Sequence, residues 1–126
     1  TERMNTMLSA KEVAYEVTKA LDSKKGMDIK LLKIAKVSSL ADYFLICTGN
    51  SSTHVKTLCD YAEYVLEEMG EQMLGREGHR GNSWELLDFG SIVVHVFTDE
   101  ARKFYDLERL WADAEQVDLA SILLPD

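Results

Sequence analysis

The chain has 126 residues, a length that fits one domain with a single hydrophobic core. Its hydrophobic fraction of 46% and charged fraction of 29% are typical of a globular protein and exclude a disordered chain. The formal net charge is −8, with eight Lys/Arg against five Asp/Glu in residues 1–36 and six against seventeen in residues 37–126. Because affinity for nucleic acid comes largely from Lys and Arg, this charge argues against direct RNA binding and favours a basic protein partner.

Cysteine and histidine usage gives no sign of redox, metal or hydrolytic chemistry. Cys47 and Cys59 form no C-x-x-C pattern, and we expect both to be buried free thiols of a reducing compartment. The three histidines lack the spacing of a zinc site, and no G-x-S-x-G motif occurs. We therefore expect no cofactor, no metal and no catalytic residue.

The sequence shows no sign of export or of insertion into a membrane. No signal peptide precedes the first predicted helix, and no apolar run approaches the roughly 20 residues needed to span a bilayer. We expect a cytoplasmic protein without a membrane partner.

The first predicted elements are a helix at about Ser9 to Lys25 and a strand within Asp28 to Val37. Ser9 and Glu12 form an S-x-x-E capping box, and apolar residues then recur at helical spacing until Gly26 ends the run. In the strand, apolar residues are interspersed with lysines, which indicates one wet face.

A buried central strand is predicted next, followed by an amphipathic helix. Tyr43 to Thr48 is nearly all apolar and ends in the turn signal Gly49-Asn50, as a buried strand should. Ser51 or Ser52 can cap a helix that carries one apolar stripe and ends at Gly70.

The following segment predicts a short strand, a mobile connection and a hairpin. The short strand is Gln72 to Gly75, and the mobile connection is residues 75–82, which contain three glycines. The hairpin consists of Trp84 to Phe89 and Ile92 to Phe97, joined by the two-residue loop Gly90-Ser91. Gly at the first loop position fits a type II′ turn.

The C-terminal part is predicted to be helical. Thr98 caps a third helix, and a second cap at Asp106 restarts a helix through Trp111. The tail from Val117 to Pro125 is apolar enough to pack on the domain. We therefore predict a single α/β domain at residues 9–115, with a mixed sheet of about five strands flanked by helices. Residues 1–8 are assigned to an N-terminal extension and residues 116–126 to a C-terminal tail.

The loop Gly90-Ser91 fixes the hairpin register and thereby assigns a face to each residue. One face is wholly apolar and must be core, whereas the other is mixed, with Trp84 opposite Phe97, Leu86 opposite His95 and Asp88 opposite Val93. Aromatic anchors beside a few polar groups are typical of interface hot spots. The alternative is that a helix covers this face and that His95 is a satisfied core residue.

Two further features have both a structural and a functional interpretation. The aromatics between Thr98 and Trp111 either face the core or extend the mixed face of the hairpin. The turn from Gly49 to Thr53 either caps a helix or holds a phosphate on its free N–H groups. Capping is favoured, because the turn matches no phosphate-binding glycine motif.

Two long motifs resemble those of a known family. They are A-D-Y-F-L-I-C-T-G-N-S-S-T-H-V-K at residues 41–56 and a stretch from Trp84 to Trp111 that ends in V-V-H-V-F-T-D-E-A-R-K-F-Y-D-L-E-R-L-W. They resemble the Iojap family, whose bacterial members are called ribosomal silencing factors, and the likeness covers about residues 9–115. It implies a nucleotidyltransferase-like fold used for binding. Family members bind the large ribosomal subunit through ribosomal protein L-fourteen in the universal numbering and obstruct subunit joining, which represses translation.

The resemblance also implies a shared binding surface. On this sequence it falls on Trp84, Leu86, Asp88, His95, Phe97, Arg102, Lys103, Tyr105, Asp106 and Trp111. We assign Trp84, Phe97, Tyr105 and Trp111 as apolar anchors. Asp88 and Asp106 are assigned as acceptors for Arg or Lys of the partner.

Two other functions are compatible with the sequence. The first is a nucleotide-binding or nucleotidyl-transferring enzyme that uses the Gly49 to Thr53 turn with Asp42 or Asp88. The second is a homodimer whose self-interface is the mixed, aromatic-rich face of the hairpin, with ribosome binding on another surface. Fold alone does not discriminate among these functions.

Overall fold

The computed structural model describes residues 9–79 and 81–123, which form one mixed sheet with helices on both faces. In chain order the elements are α1 (Ala10–Ser23), β1 (Met27–Lys33), β2 (Tyr43–Gly49), α2 (Ser52–Glu68), β3 (Gly75–His79), β4 (Trp84–Asp88), β5 (Ile92–Thr98), α3 (Asp99–Tyr105), α4 (Leu107–Leu110) and β6 (Glu115–Gln116). A short 3₁₀ helix at Leu119–Ser121 follows β6.

The strand order is β3-β4-β5-β2-β1-β6. β2 and β5 pair in parallel at the centre, and the flanking pairs are antiparallel. The predicted α/β domain with a mixed sheet is confirmed, and the described residues form six strands instead of about five. The likeness to nucleotidyltransferases stays a prediction.

Local sequence signals start both long helices. Ser9 Oγ accepts a hydrogen bond from the N–H of Glu12 at 3.1 Å, and the Glu12 carboxylate accepts one from the N–H of Ser9 at 3.0 Å. The capping box of α1 is therefore confirmed. At α2, Ser51 is the cap, and its hydroxyl accepts from the N–H of His54 at 3.1 Å.

The larger core lies between α1, α2 and one face of the sheet. All residues of β2 are buried, as its apolar run predicts. Cys47 and Cys59 are buried free thiols, which confirms that prediction. Burial raises the pKa of Cys47 to about 12 and also raises that of Cys59, so both thiols stay protonated near neutral pH.

The prediction for residues 72–82 is wrong in one respect. The strand is β3, Gly75–His79, which was assigned to the mobile connection, whereas Gln72 to Leu74 lies outside any strand. Arg76 explains the difference, because its guanidinium lies 2.8 Å from carboxylate oxygens of Asp60 and Glu63 on α2 and of Glu85 on β4. These bonds tie the edge strand to the helix layer, and sequence periodicity carries no signal for them.

The described part of the predicted tail, residues 117–123, packs on the domain, and Leu124 and Pro125 lie outside the described residues. β6 pairs with the end of β1, and the N–H of Val117 donates to the carbonyl of Leu31 at 2.8 Å. Ile122 is buried. The predicted boundary between residues 115 and 116 therefore falls within β6. In the part of the chain that the structure describes, no helix is long and apolar enough to cross a membrane.

Candidate protein-binding face

The β4–β5 hairpin has the register that its loop predicts. Trp84 pairs with Phe97, Leu86 with His95, and Asp88 with Val93. The N–H of Phe89 donates to the carbonyl of Ile92 at 2.9 Å, and Gly90 has φ +83°, a conformation that glycine adopts without strain. The assignment of residues to the two faces is confirmed.

α3 and α4 cover half of the mixed face, so both interpretations of that face are partly right. The helices lie over β5, β2 and β1, where they form a second, smaller core. His95 and Phe97 are buried in it. Their assignment to an exposed surface is therefore corrected: Phe97 supports the surface from below and is not itself an anchor. Towards β4 the face stays open.

Three of the four predicted anchors, Trp84, Phe97 and Tyr105, lie together at the border between the covered and the open half of the mixed face. The Trp84 ring stacks on Phe97 with centroids 5.0 Å apart and lies 4.5 Å from the Tyr105 ring. Leu86 follows on β4, and Trp84, Leu86 and Tyr105 are each partly exposed. We call Trp84, Leu86 and Tyr105 the aromatic face. Because Phe97 and α3 hold its rings in place, a partner that bound here would cost the rings little side-chain entropy.

Trp111 lies apart from the aromatic face. Its ring packs edge-on against Phe44 at 5.2 Å, and Phe44 in turn packs edge-on against His95 at 5.0 Å. Trp111 is partly exposed at the end of α4. It extends the same side of the sheet beyond the buried histidine.

His95 is held as a neutral imidazole. The Trp84 indole N–H donates to His95 Nδ1 at 3.3 Å, so the proton of the neutral ring is on Nε2. Nε2 has no hydrogen-bond partner in the described structure. Burial lowers the pKa of His95 to about 4, because charging the ring would leave a cation without a counter-charge.

This histidine should make stability depend on pH. In the unfolded chain it titrates at its ordinary pKa of 6.5, so protons favour unfolding as pH falls from 6.5 towards 4. We expect the free energy of unfolding to fall by about 2–3 kcal/mol between pH 6.5 and pH 4.5 on this account. Urea unfolding at pH 7 and 4.5 measures the loss. His95→Gln, which does not titrate, should lose correspondingly less, and an equal loss in both proteins would contradict the assignment.

Arg102 is buried and ties four elements together. Its guanidinium donates to the Asp28 carbonyl at 2.7 Å, to Thr48 Oγ1 at 2.7 Å and to the Glu108 carboxylate at 2.9 Å. Lys30 also lies 2.9 Å from Glu108. The hydrogen bond from Arg102 is the main reason that the pKa of Glu108 falls to about 2. Arg102 was predicted at the partner surface, and the structure places it beneath that surface.

The remaining predicted residues are spread along the rim. Asp88 accepts from the N–H of Gly90 at 2.9 Å, so its carboxylate stabilises the hairpin turn. Lys103 is exposed and pairs with Asp99 at 3.0 Å. Asp106 is exposed at the predicted junction of α3 and α4, but its side chain makes no capping bond, and its backbone is left-handed, with φ +49°. This residue therefore ends α3 and precedes α4.

Two exposed apolar residues lie outside the predicted set of binding residues. Phe104 is 77% exposed and Leu110 is 74% exposed. The Phe104 ring lies perpendicular to that of Tyr105 with centroids 5.1 Å apart, so it continues the aromatic face outwards. Helical spacing signals that some of these residues face solvent, but it does not show which, because the turn at Asp106 changes the phase between α3 and α4.

The Gly49–Thr53 turn is a helix start. The N–H of Asn50 donates to His54 Nδ1 at 2.8 Å, and His54 Nε2 contacts the Lys24 carbonyl at 2.9 Å. With Ser51 as cap, the predicted N-capping is confirmed. Among the described residues, no group of three or more His, Cys, Asp or Glu side chains is arranged to hold a metal ion.

Comparison with known proteins identifies the family. A family model described as "Ribosomal silencing factor during starvation" matches residues 7–125. The chain belongs to the ribosomal silencing factor family. A ribosomal silencing factor of Bacillus subtilis is 38% identical over 112 residues, which cover 89% of this chain and 95% of that protein. The family resemblance found in the sequence is thereby confirmed.

A plant protein and a bacterial protein of known crystal structure are also similar to this ribosomal silencing factor. The chloroplastic protein Iojap of Zea mays is 30% identical over 109 residues, which cover 84% of this chain and 46% of that protein. A crystal structure of a Chromobacterium violaceum protein superposes with a TM-score of 0.80 at 36% identity, covering 83% of this chain and 88% of that chain. The fold is therefore that of solved proteins with clear sequence similarity.

Proposed function

We propose that this protein is a cytoplasmic, non-enzymatic translational repressor. It binds the large ribosomal subunit through ribosomal protein L-fourteen in the universal numbering and sterically blocks association with the small subunit. The observation that carries the proposal is family membership across nearly the whole chain, residues 7–125. The binding surface would be the aromatic face of Trp84, Leu86 and Tyr105, with Trp111, Asp88, Lys103 and Asp106 around it.

Shape and charge support this assignment of the surface. The aromatic face is flanked by the open half of the sheet, and its rings rest on the buried side chain of Phe97. Partly exposed aromatic side chains on a rigid base are typical hot spots. The net charge of −8 favours a basic partner, because opposite charges accelerate encounter. The same negative charge opposes binding to phosphate-rich surfaces.

Sedimentation with purified ribosomal subunits tests the proposal. The protein should move with large subunits in a sucrose gradient and not with small subunits, and it should reduce the amount of whole ribosome formed when the two are mixed. Adding the protein after association distinguishes a block of joining from dissociation. Absence of the protein from the large-subunit fraction would overturn the proposal.

The two alternatives have less support. The N–H groups of Asn50 and His54 at the start of α2 already donate to side chains, which leaves fewer donors for a nucleotide phosphate. Calorimetry with nucleoside triphosphates and magnesium checks the enzyme hypothesis. A homodimer through the aromatic face stays a prediction, and light scattering over a range of concentrations checks it.

A further inference from the structure

A cleft of about 330 Å³ opens beside the aromatic face, between α3 and the start of β4. It is lined by Ser83, Thr98, Glu100, Ala101, Phe104 and Tyr105. Its floor is fixed, because Ala101 is buried and the N–H of Thr98 donates to the Ser83 carbonyl at 2.8 Å. The cleft therefore has a rigid base and walls formed by side chains.

Two aromatic rings form one side of the cleft. Phe104 and Tyr105 are perpendicular, with an interplanar angle of 87°. Tyr105 is held by Trp84, whereas Phe104 is largely exposed. The faces of aromatic rings carry partial negative charge and attract cations that lie against them.

A carboxylate without an ion pair lies on the same side of α3. Glu100 precedes Phe104 by four residues, about one helical turn, so the two side chains project from one face of the helix. Glu100 is exposed and forms no ion pair with any described residue, whereas the neighbouring Asp99 pairs with Lys103 at 3.0 Å. The cleft thus combines an aromatic ring with an available negative charge.

We propose that this cleft receives an arginine side chain from the basic protein that docks on the aromatic face, an inference that rests on the proposed function. The guanidinium plane stacks on Phe104 and donates hydrogen bonds to the Glu100 carboxylate. An arginine suits the site better than a lysine, because its planar and weakly hydrated cation stacks on rings and binds a carboxylate through two N–H groups. An apolar side chain would desolvate Glu100 without compensation.

The first experiment uses the free protein and a small probe. N-acetyl-arginine methylamide is titrated into the ¹⁵N-labelled protein, with N-acetyl-norleucine methylamide as an uncharged probe of similar length. Shifts at Glu100, Phe104 and Tyr105 that arise with the arginine probe, and weaken in Glu100→Gln, support the cleft. No shift at these residues up to the solubility limit overturns it.

The second experiment measures binding to large ribosomal subunits. Glu100→Gln should lower affinity about 10-fold, the usual size of a lost charge-assisted hydrogen bond, and should weaken the salt dependence of binding. The matched control is Asp99→Asn, which removes the adjacent charge of the same helix turn but leaves Glu100 in place. Its affinity should stay within about twofold of the parent, since an exposed ion pair contributes little.

The outcomes separate this inference from the proposed function. If the parent protein fails to bind large subunits while the arginine probe still shifts Glu100 and Phe104, the proposed function fails and the cleft remains a guanidinium site. If the parent protein binds and Glu100→Gln matches it in affinity and salt dependence, the proposed function stands and the arginine site is overturned.

Discussion

The double variant Trp84→Ala, Tyr105→Ala is expected to lose at least about 100-fold in affinity for the large ribosomal subunit, since interface hot spots contribute 2 kcal/mol or more each. Both rings are partly exposed, and their centroids lie 4.5 Å apart. Their removal would leave a hollow over Phe97 where the partner needs a rigid apolar surface. Sedimentation at several subunit concentrations gives the affinity, and the block of subunit association should be lost with it.

Three further variants separate binding from folding. Tyr64→Ala removes a ring that is 57% exposed on α2, on the other side of the sheet, and should bind like the parent protein. Tyr105→Phe keeps the ring contacts and should retain most of the affinity. If the double variant fails to fold, Leu86→Asp puts a charge on the open half of the face and should abolish binding by itself. Full binding by a folded double variant, or by a folded Leu86→Asp, would contradict the assigned surface.

Arg102→Ala should lower the free energy of unfolding by about 2–3 kcal/mol, the usual cost of losing hydrogen bonds made by a buried charged group, because Glu108 stays partly exposed and paired with Lys30. The variant loses the hydrogen bonds to Glu108, Thr48 and the Asp28 carbonyl. The irregular start of β1, where Asp28 has a left-handed backbone with φ +51°, then loses its hydrogen bond to α3. Urea unfolding at pH 7 measures the effect.

The pH dependence of Arg102→Ala provides a second test. The lowered pKa of Glu108 means that its stabilising contribution is present above pH 4.5 and is lost as pH falls towards 2. Without Arg102 this loss should be smaller, because the main cause of the shift is gone. The control is Lys103→Ala, whose exposed pair with Asp99 contributes no more than about 0.5 kcal/mol. Equal stability of Arg102→Ala and Lys103→Ala would show that the buried network contributes little.

Local signals in the sequence predicted most of the fold. The capping box at Ser9, the apolar run of β2 and the two-residue loop at Gly90 depend on neighbouring residues alone, and each has the predicted structure. β3 was misplaced because two glycines resemble a loop and because its stabilising bonds come from α2 and β4, which are distant in sequence. Contacts between elements that are distant in sequence do not appear in the hydrophobic periodicity of the chain.

The residues that form the candidate site were predicted, but the burial of their side chains was not. Alternation along β4 and β5 correctly grouped Trp84, Leu86, His95 and Phe97 on one face. It could not show that α3 folds back over β5 and buries His95 and Phe97, since that depends on the chain direction after Thr98. The same tertiary contact makes Arg102 an internal tie and leaves Phe104 exposed.

The parallel pairing at the centre of the sheet has a consequence for how the chain folds during synthesis. Tyr43 of β2 pairs with Ile92 of β5, which is synthesised 49 residues later. β2, which is buried along its whole length, therefore lacks this neighbouring strand until β5 has been made. Closing so long a loop is slow compared with forming a hairpin, and an apolar strand with an unfilled edge is prone to aggregate meanwhile. α1 and β1 precede β2 in the chain, so they can shield one face and one edge of it before β5 emerges. Substitutions that weaken the β1–β2 hairpin should therefore reduce the yield of folded protein in cells more than they reduce its stability once folded.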